Sequence, residues 1–120
     1  FFRRLNAFQA AAESRNDAVH DLFPDRAAFD AWAMDYAALL RQAGEPDAAR
    51  KARLDRINPK FILRNYLAQA AIAKAQTRDF SEVDRLLKLV QSPYGEHPEL
   101  EHYAGFPPDW AAGIEVSCSS

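Results

Sequence analysis

The sequence predicts an all-α fold: a helical bundle of about four to six helices, closed by an irregular C-terminal wrap rich in proline and aromatic residues. Apolar residues recur at helical spacing in block after block. Alanine is abundant while glycine is confined to Gly44, Gly95, Gly105 and Gly113. That balance favours helix, because alanine gives up almost no side-chain entropy there and glycine the most backbone freedom. No hairpin signal such as Asn-Gly appears, and no period of about 20 to 50 residues repeats. At 120 residues, 48% hydrophobic and 27% charged, the chain has the size of one domain and the composition of a globular one.

The elements follow in order. A first helix is expected over Phe1 to Ala12 and a short one near Ala18 to Phe23. The clearest stripe is Phe29, Trp32, Ala33, Tyr36, Leu39, Leu40 and Ala43, with Asp25 as N-cap and Gly44 before Glu45-Pro46 as its stop. Another helix is expected from about Pro46 to Ile57, where proline suits the first turn and Ala48, Ala52, Leu54 and Ile57 form a thin apolar face. The next opens at "NPKF", with Asn58 as cap, Pro59 in first position, and Ile62, Leu63, Tyr66, Leu67, Ala70 and Ala71 buried. The last opens on "DFSE", a capping box with Asp79 as cap and Glu82 reaching back, and turns Val83, Leu86, Leu87 and Val90 inward. From Ser92, Pro93, Pro98, Pro107 and Pro108 break regular structure, with Tyr94, Tyr103, Phe106 and Trp110 between them. So aromatic a segment is expected to lie over the helices.

Charge excludes some functions. A net charge of −2 gives no general attraction to nucleic acid or membrane. No apolar run approaches a membrane span, and no signal-peptide pattern is present. The distribution is uneven: Arg50, Lys51, Arg53, Arg56, Lys60 and Arg64 face Asp55 alone, whereas after Lys88 only Glu96, Glu99, Glu101, Asp109 and Glu115 are charged. The basic middle and acidic tail could attract one another or face different partners.

The sequence holds neither G-x-G-x-x-G nor G-x-x-x-x-G-K-[ST], so it offers no backbone nest for phosphates. His97 and His102 stand five apart across Pro98 and His20 stands alone, a spacing of surface or packing histidines rather than of a zinc site. Asp17, Asp21 and Asp25, four apart, read as caps and solvated faces. Arg64, Asn65 and Gln69 form a polar trio in an otherwise apolar helix, the mark of a contact to another element or domain, or of direct ligand contact. The lone cysteine, Cys118, excludes an internal disulfide. Glu115 and the terminal carboxylate would raise the pKa of its thiol, so local chemistry leaves an incidental surface cysteine and a redox-active tail thiol both open.

The stretches "NPKFILRNYLAQ", "DFSEVDRLLKLVQSPY", "EHYAGFPPDW" and the terminal "SCSS" resemble, in this order, the C-terminal end of the selenoprotein O family, the bacterial YdiU-type proteins. The resemblance implies a protein-kinase-like parent acting as an adenylyltransferase. Such a parent binds ATP in a flipped orientation and, with Mg²⁺ or Mn²⁺, transfers AMP to Ser, Thr or Tyr hydroxyls of protein substrates. The family's ion-pair lysine and glutamate, its "HGVMNTDN"-like loop and its metal-binding aspartate have no counterpart between Phe1 and Ser120. No catalytic or metal residue is therefore assigned, and no cofactor is expected on this segment.

The family's selenocysteine position, third from the end, matches Cys118. The resemblance makes it a redox-regulatory thiol, able in bacterial members to pair with a cysteine near the activation loop that this chain lacks. On this reading residues 1–91 are helices and 92–120 a tail, docked on an upstream kinase-like domain of a cytoplasmic protein. The start at "FFRRL" without methionine then reads as a cut through that longer protein. The competing reading is a stand-alone helical interaction module whose Arg64, Asn65 and Gln69 patch docks a partner without catalysis.

Overall fold

The structure, a computed structural model, describes residues 1–11 and 13–114. Every regular element among them is helical, as expected. The chain forms two compact units, Phe1–Asn58 and Pro59–Ser120.

The first unit holds α1 (Phe2–Leu5), α2 (Asp17–His20), α3 (Arg26–Ala43) and α4 (Asp47–Asp55). Helix α3 begins and ends as its sequence predicts. The Asp25 carboxylate accepts the Ala28 N–H at 3.0 Å, and Gly44 closes the helix at φ 71°, a conformation that costs glycine little. Phe29 is buried, with Phe23 at 5.0 Å and Trp32 at 5.6 Å between ring centres; Trp32 stacks on Tyr36 at 5.0 Å. Leu39, expected inside, is exposed.

The first helix stops at Leu5, not near Ala12. Asn6 is fully buried, donating to Asp55 at 2.9 Å and accepting from Asn58 at 2.8 Å. Beyond it the backbone finds side-chain partners instead of a helical ladder. The Ala10 N–H donates to Asp47, the Ala10 carbonyl accepts from Arg41, and the Phe8 carbonyl accepts from Arg50. Phe8 is thereby sunk against Tyr36, ring centres 5.0 Å apart. The same contacts reverse the expected face of α4. Its buried residue is Arg50, 3% exposed and paired with Asp47 at 2.7 Å, while Ala48, Ala52 and Ile57 lie outside.

The second unit holds α5 (Asn65–Gln76), α6 (Ser81–Gln91) and two 3-10 helices, Pro98–Ala104 and Asp109–Gly113. Helix α5 does not begin at Pro59. The Lys60 and Phe61 N–H groups both donate to the Pro93 carbonyl, at 2.8 and 3.2 Å, which holds 59–64 out of helix. Phe61 is buried as a result, and Ile62 and Leu63 are exposed. The capping box does not form either. Asp79 accepts the Ser81 N–H at 3.0 Å, but Glu82 turns inward, and α6 is rolled so that Leu86 and Leu89 face the core while Val83, Leu87 and Val90 stand out. The core comprises Phe61, Leu67, Ala71, Leu86, Leu89, Leu100 and Tyr103. Leu100 and Tyr103 bring the proline-rich segment over α5 and α6 as expected, whereas Tyr94, Phe106 and Trp110 remain largely exposed.

Candidate functional site

Of the residues singled out from the sequence, Cys118 lies outside the described residues. Arg64 is not inside the third long helix but immediately before α5, extended at φ −92° and ψ 152°. Its guanidinium turns back to donate to the Gly105 carbonyl at 3.0 Å. Asn65 and Gln69, one turn apart on α5, are exposed. The trio is therefore split: Arg64 fastens the C-terminal segment, and the two amides face outward.

The same segment is fastened at further points that sequence reasoning missed. Lys60 Nζ donates to the Glu96 carboxylate and backbone carbonyl, both at 2.9 Å, and pairs with Glu101. Burial alone would lower the pKa of Lys60, but its hydrogen bonds to Glu101 and Glu96 outweigh that and hold it above the usual lysine range. Lys88 pairs with Glu99 at 3.3 Å. The unequal charge of middle and tail was the available signal, and within this unit the two do attract one another.

The deepest fastening is at Glu82, 8% exposed. One carboxylate oxygen accepts from the Tyr103 hydroxyl; the other accepts from Lys74 at 2.8 Å and Arg85 at 3.2 Å. The Lys74 hydrogen bond first, then that of Tyr103, hold the Glu82 carboxyl below its ordinary range. Burial first, then Glu82, raise Tyr103 above the usual phenol range. A carboxylate with donors on both oxygens is kept ionised and is poorly suited to take up a proton in catalysis.

These groups hold a segment in place; they do not converge on a reacting atom. Residues 94 to 105 are clamped by Lys60, Arg64 and Glu82, and Trp110 meets Tyr66 edge-on at 6.0 Å. Among the described residues no cluster of three or more His, Cys, Asp or Glu could hold a metal ion, and no helix is long and apolar enough to cross a membrane. The first unit carries a cleft of about 760 Å³ lined by, among others, Asn16, His20, Asp30 and Arg41. Within its lining His20 lies 3.6 Å from Asp30, and Arg41 donates to the Ala10 carbonyl.

The protein nucleotidyltransferase YdiU of Thiobacillus denitrificans is 57% identical over 121 residues, covering all of this chain and 25% of its own length. Its namesake in Herminiimonas arsenicoxydans is 52% identical over 120 residues, covering all of this chain and 24% of its own. That of Paraburkholderia xenovorans is 54% identical over 119 residues, 99% of this chain and 23% of its own. The chain thus spans about a quarter of the length of the curated relatives it matches. The model of the family described as protein adenylyltransferase SelO matches residues 1–91, more than half of the sequence, and the chain belongs to that family.

Proposed function

We propose that the chain is the C-terminal helical part of a protein adenylyltransferase and serves it as a structural and regulatory segment. The observation that carries this reading is the SelO family match over residues 1–91. The parent binds ATP with Mg²⁺ or Mn²⁺ on a kinase-like domain upstream of Phe1, in the cytoplasm. A Ser, Thr or Tyr hydroxyl oxygen of a protein substrate attacks the α-phosphorus of ATP; AMP is transferred and pyrophosphate leaves. The residues of this chain hold no part of that chemistry. Their clamp on segment 94–105, of which Arg64 is part, supports a positional role, with the exposed Asn65 and Gln69 facing the catalytic domain or a ligand and Cys118 acting as a redox-switch thiol on the tail.

The full-length parent incubated with ATP labelled at the α-phosphate should label protein, and ATP labelled at the γ-phosphate should not. Transfer of the γ label instead would make the parent a kinase and overturn the reading. The reading of a stand-alone module is disfavoured by end-to-end matches that fill only about a quarter of longer relatives.

A further inference from the structure

Helix α6 is apolar around about half its circumference, but the core of its unit covers only part of that arc. Leu86 and Leu89 are buried. Beside them Phe80, which caps the helix, and Val83, Leu87 and Val90, spaced 3, 4 and 3 residues apart, make a second stripe. All four are exposed, from 41% at Val83 to 58% at Phe80. Asp84, Arg85 and Lys88 occupy the remaining arc. Scattered exposed apolar residues are normal on a surface; a continuous stripe along a whole helix marks a face meant to be covered.

We infer that this stripe is the docking face for the polypeptide that precedes Phe1 in the parent. The inference rests on the reading of the chain as one part of a longer SelO-family protein. Relatives match the chain along its whole length yet are about four times as long, so most of such a protein lies outside these residues. Self-pairing of two copies is the weaker alternative, because α6 has 11 residues and a helical zipper needs about three heptads or more. The face takes an apolar partner surface that accepts one side chain per turn, as grooves for amphipathic helices do.

The test uses the full-length parent carrying Cys118→Ser and, separately, Leu87→Cys, Val83→Cys or Lys88→Cys. Maleimide modification at each position is read by peptide mapping. Positions 87 and 83 should react on the order of tenfold more slowly than position 88, and denaturant should abolish the difference. Equal rates would overturn the inference. A photo-crosslinking Phe80→p-benzoylphenylalanine variant then identifies the cover. Cross-links to sequence preceding Phe1 support the inference; cross-links to residues 1–120 or to a second copy overturn it. Neither readout involves ATP, so failure here is distinguishable from failure of the adenylyltransferase reading.

Discussion

Replacing Tyr103 by phenylalanine removes a single oxygen and keeps a ring that is 5% exposed in the core of the second unit. Glu82 then loses the donor on one carboxylate oxygen, while Lys74 and Arg85 still serve the other. A hydrogen bond to a charged group is worth about 1.5–3 kcal/mol, and here the orphaned acceptor has little access to water. Lys74→Met removes a whole charge, but from a side chain 46% exposed, and Arg85 still donates to the same Glu82 oxygen, so the cost should be about 1 kcal/mol. The neutral deletion should therefore cost more than the charged one. Urea unfolding, followed by hydrogen exchange at the Leu86 and Leu89 amides, reads both. With a slope of about 1–3 kcal/mol per molar urea, Tyr103→Phe should lower the midpoint by about 1 M. A cost no larger than that of Lys74→Met would refute the reasoning. The acid limb gives a second check. Glu82 has a lowered folded pKa, so its contribution is complete above the unfolded value of about 4.3 and is lost as pH falls through the lower folded value. Because Tyr103 supplies part of that lowering, Tyr103→Phe should make stability less dependent on pH in this window.

Arg50→Met should destabilise the first unit by about 1–3 kcal/mol, chiefly because it leaves the Phe8 carbonyl without its buried donor, whereas Asp47 is part-exposed and keeps the Ala10 N–H; loss of dispersed NMR signals from Phe8 to Ala10 would report it. Arg64→Ala should cost about 1 kcal/mol and speed hydrogen exchange in Phe106–Gly113 while α5 and α6 keep their protection. Unchanged exchange there would remove Arg64 from the clamp. In the full-length parent, oxidation should alter AMP transfer by the wild type and leave Cys118→Ser unaffected, and identical responses would make Cys118 a bystander.

Local signals proved legible where one residue suffices. Asp25 and Gly44 bound α3 because a cap carboxylate and a left-handed glycine act on their own backbone neighbours. The proline- and aromatic-rich texture after Ser92 likewise foretold a break in regular helix. What failed was any inference that needed a distant partner. Pro59 looked like a helix start, but the Pro93 carbonyl took the two N–H groups that follow it. Glu82 looked like half of a capping box, but Tyr103 and Lys74 made its burial possible and rolled α6. Arg50 counted only as one charge of the basic middle, but the Phe8 carbonyl drew it inside. The same holds for Arg64: its partner, the Gly105 carbonyl 41 positions away, carried no signal in the sequence.

The proposed function has this chain position and regulate a chemistry performed elsewhere in a longer protein. The most direct measurement is AMP incorporation from α-labelled ATP with Mg²⁺ or Mn²⁺, run side by side for the full-length parent and the 120-residue chain. The account predicts labelled protein with the parent and none with the chain alone. Label transferred by the isolated chain, or none by the parent, would contradict it.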